Sequence, residues 1–388
     1  MKNRNRKNFL GLLVLAIFAL GASVALIVIK YQTVYQDHAA RATLPTIWYT
    51  VSGKQILEDG VTPFVPYGVQ LGGITMAVSN WQTNKSSYIT QDMISAAQSV
   101  WHANTVSLQL ASANLFDVAP YDSNYLSRVD QIVNWATSNN MNIILVLQYE
   151  GTNNQVLPTQ DSVNFWNFMS QRYANRSRII FDVFNEPHMP GGANDDATAW
   201  NLWKNGGTYN GVVYVGMQQL VNTIRANAQN NLIFVSGLAA GEDIKLLPSY
   251  TLSGTNIVYA IHPYFNTTQH ANQTQWDNWF GTAASTGNFP IVADEWNEYQ
   301  NGNDPECYPA AAATVPTFLS YLKQKNIGLV GYSLYPGTLI RGWNFSTPTA
   351  FDEPTYTCPV VTPPNMDPSA QGAGQLLMDY FQTNAKPL

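Results

Sequence analysis

Charge is scarce in this sequence. Asp, Glu, Lys and Arg make up 11% of 388 residues, under half the share of an average soluble domain. Bases are scarcer than acids, at 19 against 25, and six of the bases lie before residue 44 with a single acid. From Leu44 onward 13 bases face 24 acids, a net charge of −11 with histidine neutral. A nucleic-acid binder presents a basic face, so nucleic acid is excluded as a partner. Cysteine is almost missing too: Cys307 and Cys358 form no Cys-x-x-Cys pair, and there is no His-Glu-x-x-His. Zinc is not indicated, and neither a metal nor an organic cofactor is expected. In place of charge stand Asn, Gln, Ser, Thr, Tyr and Trp, a surface suited to a neutral polyhydroxylated ligand. With few ion pairs to lose on protonation, such a chain is expected to tolerate acid.

One long hydrophobic run is present. Lys2, Arg4, Arg6 and Lys7 precede an uncharged stretch over 9–29 that ends at Lys30. As a helix it spans about 31 Å, enough to cross a bilayer core. The apolar region of a cleaved signal peptide is shorter. The expectation is a basic cytoplasmic tail (1–8), a transmembrane signal anchor (9–29) contacting the lipid bilayer, a linker (30–43) and one large extracytoplasmic domain (44–388). Cleavage and secretion is the alternative. Outside the cytoplasm, a disulfide is the default for Cys307 and Cys358.

Eight apolar runs, many β-branched and bounded by Gly, Asn or Pro, read as buried parallel strands: 65–71, 105–110, 142–148, 179–184, 232–236, 257–261, 291–294 and 328–333. Helical stripes lie between them. Leu126, Val129, Ile132, Val133 and Ala136 mark one; Met217, Leu220, Val221 and Ile224 another; Phe318, Leu319 and Leu322 a third; Leu376, Leu377, Tyr380 and Phe381 the last. The weakest helical signals follow strands five and six. Eight such units in this length predict an α/β fold, a single (β/α)8 TIM barrel, with an open doubly wound sheet as the alternative. Long connections at 189–211, 296–310 and 334–369 follow strands four, seven and eight and would emerge at the C-terminal mouth. The cysteines fall in the last two, where a bridge would brace one rim.

In FDVFNEPH, Glu186 ends the fourth strand; in PIVADEWNEY, Glu295 ends the seventh. A single glutamate there could be a helix cap. Two at matching ends of one barrel suit the acid/base and nucleophile of a glycosidase. In a retaining enzyme the carboxyls stand about 5–5.5 Å apart, and their repulsion keeps one protonated.

Taken in order, FDVFNEPH, YAIHPY and PIVADEWNEY resemble glycoside hydrolase family 5, the retaining cellulase-like enzymes of clan A. The likeness extends to GKQILEDG…FVPYGVQLGG, YLSRVDQIVNWATSNNMNIILVL and FWNFMSQRYANRSRIIFDVFNEP. The resemblance implies that Glu186 is the acid/base and Glu295 the nucleophile, that Asn185 hydrogen-bonds the sugar 2-hydroxyl, and that His262 and Tyr264 line the reacting-sugar subsite. It also exposes three departures. Ser107 stands where the family carries an arginine, Glu150 where it carries a histidine, and Tyr332 where it carries a tryptophan. Gln109, on the same side of its strand as Ser107, could supply a neutral hydrogen bond, and Glu150 would add a third carboxylate that raises its neighbours' pKa values.

Trp81, Trp200, Trp203, Trp296 and Trp343 follow barrel strands and are candidate sugar platforms, about half of them expected to be structural. Trp135 and Trp166 sit in helical stripes and read as core. The expected activity is retaining β-glycoside hydrolysis of a polysaccharide or oligosaccharide, β-1,4-glucan or β-mannan first. A non-catalytic sugar-binding surface protein on the same barrel, or a transglycosylase, is the competing reading.

Overall fold

The eight expected strands all form, and they close. A computed structural model describes residues 47–73, 89–116, 123–150, 156–174, 176–192, 196–264, 272–297, 311–336, 338–340, 342–348 and 373–385. Strands β1 (Tyr49–Ser52), β2 (Gln55–Glu58) and β3 (Thr62–Phe64) make a small antiparallel sheet. The barrel follows with β4 (Tyr67–Gly73), β5 (Thr105–Ala111), β6 (Asn142–Tyr149) and β7 (Ile179–Asp182). A hairpin of β8 (Gly206–Tyr209) and β9 (Val212–Val215) interrupts it. Then come β10 (Ile233–Ser236), β11 (Ile257–Ile261), β12 (Ile291–Trp296) and β13 (Gly328–Gly331). The barrel strands pair in parallel in chain order, and β13 closes onto β4. The open-sheet alternative is thereby excluded.

Helices α1 (Gln91–Ser99), α2 (Ser123–Ser138), α3 (Gln160–Tyr173), α4 (Ala197–Asn205), α5 (Met217–Asn227), α6 (Ala311–Gln324) and α7 (Ala373–Asn384) are the longer segments around it. Polar side chains cap some of their starts: Thr90 caps α1 by accepting from the Met93 N–H (3.2 Å), and Asp196 caps α4 by accepting from the Ala199 N–H (2.7 Å). After β10 the helix shrinks to a single turn, and after β11 it passes through a π-helical segment, where the helical signal is weakest.

Alternation along the strands divides the core. Outward residues such as Val106, Leu108, Leu145 and Phe181 join the helices in one apolar layer. Inward residues Ile144, Ile180, Phe234, Val258, Val292 and Val330 fill the barrel and meet Tyr49, Ile56 and Phe64 of the β1–β3 sheet. That sheet plugs the N-terminal end. Toward the other end the inward series turns polar: Asp182, Ser236, His262 and Asp294 are all buried. A barrel core that exchanges Ile and Val for Asp, His and Ser at one end is built for chemistry there.

Residues 9–29, 307 and 358 lie outside the described residues, as does Trp81. Among the described residues no helix is long and apolar enough to cross a membrane.

Candidate active site

Glu186 and Glu295 reach the C-terminal mouth by two backbone irregularities. Glu186 has φ of +52°, a left-handed conformation unusual for a residue with a side chain. Three hydrogen bonds hold it there: His188 Nδ1 lies 2.9 Å from the Glu186 carbonyl, the His188 N–H donates to Val156 O (2.7 Å), and the Ala240 N–H donates to Pro187 O (3.1 Å). In β12 the register shifts between Ala293 and Trp296. Val292 and Asp294 face inward, and the bulge turns Glu295 inward as well, leaving Trp296 outside.

The result is a tight charged cluster. Carboxylate and imidazole atoms of Glu186, His262 and Glu295 all lie within 4.8 Å of one another. That spacing is nearer the about 5–5.5 Å between paired carboxyls of a retaining glycosidase than the about 6.5–9.5 Å of an inverting one. Tyr264 Oη donates to Glu295 Oε1 (2.9 Å), and Gln70 Nε2 donates to Glu295 Oε2 (2.9 Å). His262 Nδ1 lies 3.1 Å from Glu186 Oε1, and its Nε2 lies 3.3 Å from Asp294 Oδ1. Among the described residues, neither glutamate has a lysine or arginine as a hydrogen-bond or ion-pair partner.

Burial and the Glu186 charge push the Glu295 carboxyl up, while His262, Tyr264 and Gln70 pull it back toward ionisation. Burial alone would neutralise His262, but Glu295, Asp294 and Glu186 together raise it well above its ordinary value. Both ring nitrogens of His262 already face carboxyl oxygens, and in its imidazolium form the ring has no lone pair to give a metal. Tyr264 is raised by burial and by both glutamates.

The His262 ring is held from behind. After β10 the backbone runs through three consecutive left-handed residues, Ala239, Ala240 and Gly241. The His262 N–H donates to Gly241 O (2.9 Å), and a Cβ at Gly241 would stand 2.9 Å from His262 Cγ. One strained turn therefore clamps the backbone beside Glu186 and the ring that touches it.

Of the other predicted residues, Asn185 is buried beside Glu186, and its Nδ2 has no hydrogen-bond partner among the described residues. Tyr332 sits on the rim, 39% exposed, with desolvation and then the Glu295, Tyr149, Glu186 and Tyr335 groups pushing its hydroxyl up to about 12. Trp343 is half exposed and packs edge-to-face on Tyr335 (5.3 Å) in the loop after β13.

Four expectations fail. Glu150 is not a third carboxylate of the cluster. It is buried at the start of α3, where it accepts from the Thr159 N–H (2.7 Å) and hydroxyl (2.8 Å), the Ser162 N–H (3.0 Å) and the Ser162 hydroxyl. Neither Glu186 nor Glu295 contributes to its raised pKa, which burial causes. Gln109 donates to Ser107 Oγ (3.1 Å), while the neutral donor to Glu295 is Gln70, which the sequence reading overlooked. Trp203 is no platform: with Trp200 it lies on the buried face of α4, their rings 5.0 Å apart, and its Nε1 donates to Ser236 O (3.0 Å). Trp296 stacks on Phe318 of α6 (5.6 Å, 22°) because the bulge sends it outward. Trp166 is core as expected, and Trp135 is half buried beneath the Arg128 guanidinium.

A crevice of about 800 Å³ lies at the other end of the barrel, between β1 and the starts of β11 and β12. It contains none of these groups.

Known proteins resemble this chain in sequence and in fold. The model of the cellulase family, glycosyl hydrolase family 5, matches residues 62–338. Endoglucanase B of Clostridium cellulovorans is 26% identical over 269 residues, 63% of this chain and 58% of that protein. An endoglucanase of Clostridium saccharobutylicum is 24% identical over 220 residues, 56% of this chain and 43% of that protein. The chain thus spans about half the length of the curated relatives it matches. Among solved structures, a β-glucanase of Saccharophagus degradans in complex with cellotetraose superposes with a TM-score of 0.65 at 19% identity, over 88% of this chain and 95% of that one. An endocellulase of the archaeon Pyrococcus horikoshii gives 0.62 at 17% identity, over 78% and 96%. At such identities the structural likeness is one of fold.

Proposed function

Since this chain belongs to the cellulase family, glycosyl hydrolase family 5, we propose that it is a retaining β-glycoside hydrolase acting on a β-linked polysaccharide, with β-1,4-glucan or β-mannan as the substrate class. The observation that carries the reading is the spacing of Glu186 and Glu295, whose nearest carboxyl oxygens lie within 4.8 Å. Glu295 attacks the anomeric carbon and forms a glycosyl-enzyme. Glu186 protonates the leaving oxygen, then takes a proton from the incoming water. Tyr264 and Gln70 hold Glu295 by bonds that favour its ionised form. The buried Asn185 amide supplies a hydrogen bond to the sugar 2-hydroxyl, a contact that strengthens in the transition state.

Ser107, Glu150 and Tyr332 stand where the family carries arginine, histidine and tryptophan. A neutral donor, Gln70, takes over at the nucleophile, and Tyr332, Tyr335 and Trp343 form an aromatic rim for sugar faces. Barrel order puts β13 opposite β7, so this rim lies across the mouth from the proton donor, on the side away from the leaving group. The 9–29 segment is assigned as an anchor that holds the domain outside the cytoplasm, or as a signal removed on secretion.

The test is reducing-sugar release by the purified protein from separate β-glucan, β-mannan and β-xylan panels between pH 3 and 7. Release from one backbone, abolished in Glu295→Gln, supports the hydrolase. No release by folded protein that still binds a glycan would instead make the barrel a binding surface.

A further inference from the structure

We propose that Asp294 and Asp182 are positioning residues: a buried carboxyl pair that orients His262, holds it cationic against Glu186, and so favours the ionised form of Glu295. The kinetic part of this inference rests on the hydrolase reading above. The geometric part does not.

Both ring nitrogens of His262 face carboxyl groups, Nδ1 at 3.1 Å from Glu186 Oε1 and Nε2 at 3.3 Å from Asp294 Oδ1. A ring with a carboxyl oxygen facing each nitrogen is favoured as the imidazolium. His262, Asp294 and Asp182 are each less than 5% exposed, so water cannot screen the arrangement. Two neighbouring buried carboxyls cannot both ionise without a large penalty. Burial, and then the charge of Asp294, raise Asp182 well above the ordinary carboxyl range. The proposed chain runs from Asp182 to Asp294, to the His262 cation, to Glu186.

The groups around His262 are accounted for on every side. β7 and the turn beyond it bring Asp182 and Glu186, and β12 brings Asp294 and Glu295. The residues after β11 bring Tyr264, whose hydroxyl is committed to Glu295. The turn after β10 presents the Gly241 backbone to the ring, and its Asp243 is paired with Lys245 (3.4 Å). Four carboxyl groups thus converge on one histidine. Among the described residues it is the cation that draws Glu295 toward ionisation.

Removing the Asp294 charge without changing its shape lets His262 lose its proton, and Glu295 then loses its neighbouring cation. In Asp294→Asn the acidic limb of kcat/KM moves to higher pH by about one unit, the size of one close charge interaction. Asp182→Leu moves it in the same direction. Asp182→Asn restores it, because the amide is a neutral donor beside Asp294, as a protonated acid would be. A merely structural pair would lower activity at all pH values and leave the limb where it was.

The direct measurement is NMR of ring-labelled histidine in the intact protein, which has five histidines, with His262 assigned by its loss in His262→Gln. The wild-type ring stays imidazolium from pH 5 to 8, and in Asp294→Asn it titrates inside that range. A neutral wild-type His262 at pH 7, accepting from a protonated Glu186, overturns the proposal. So does an Asp294→Asn ring that titrates as the wild type does. This readout needs no turnover, so an inactive protein would contradict the hydrolase reading while leaving the positioning pair open to refutation.

Discussion

Replacing Gln70 by Met deletes the amide and changes little in length. The side chain is 1% exposed, similar in length to methionine, and its amide lies 2.9 Å from Glu295 Oε2. A hydrogen bond to a charged group contributes about 1.5–3 kcal/mol net, and one pKa unit corresponds to about 1.4 kcal/mol. Loss of the bond therefore raises Glu295 by roughly one to two units, because the amide favours the ionised carboxylate and burial opposes it. The assay is kcat/KM against pH on whichever β-glycan is cleaved. The acidic limb should move up by that amount, while the plateau at higher pH stays within about tenfold, since a more basic carboxylate is also a better nucleophile. Tyr264 still donates to the other oxygen, which limits the effect. A limb that does not move, with the plateau collapsed, would mean that Gln70 only packs.

Three further outcomes are expected. Gly241→Ala places a Cβ 2.9 Å from His262 Cγ at a φ of +81°, so it should lower Tm by the cost of a left-handed residue, about 1–2 kcal/mol, and reduce kcat through displacement of the ring. Wild-type kcat in that variant would show that the turn gives way freely. Trp203→Ala removes a fully buried indole and its bond to Ser236 O, and should cost about 3–5 kcal/mol in chemical denaturation with KM unchanged in the protein that remains folded; a raised KM would return Trp203 to the sugar site. Asp182, Glu150 and Glu295 are all raised in the folded protein, so the native state keeps protons that the unfolded chain releases near pH 4. Their contribution is greatest below about pH 4 and is lost as pH rises through the folded values. His262 is raised as well, and its contribution fades as pH climbs through its own folded value. Tm should therefore be higher at pH 4.5 than at pH 8.5, and Asp182→Asn should flatten the difference; a Tm that climbs with pH contradicts the assignment.

What could be read from the chain depended on how local each cause was. The barrel was legible because parallel strands buried on both faces are continuous apolar runs, and 257–261 forms with the bounds that its run suggests. Glu186 and Glu295 stood out as carboxylates where such runs stop. The failures have distant or geometric causes. Strict alternation would send Trp296 inward with Asp294, and only the β12 bulge, formed against β13, reverses it. Trp200 and Trp203 looked like loop aromatics, yet Asp196 caps a helix that buries both; their three-residue spacing was the available clue. Glu150 finds its partners nine and twelve residues on, at Thr159 and Ser162. Gln70 meets Glu295 across 225 residues, a contact made by barrel closure and invisible to any local pattern. Asp182 and Asp294 stand one inside each motif, and an acid within a buried apolar run is a signal of the same kind as Glu186.

The most direct test of the account is the configuration of the first product. Proton NMR of an early time course, before mutarotation, reads the anomer that leaves the enzyme. Carboxyls within 4.8 Å predict retention, so the β-anomer should accumulate first and decay toward equilibrium. An α-anomer at the earliest time would mean inversion, with a water between the carboxylates, and would contradict the assignment of Glu295 as nucleophile.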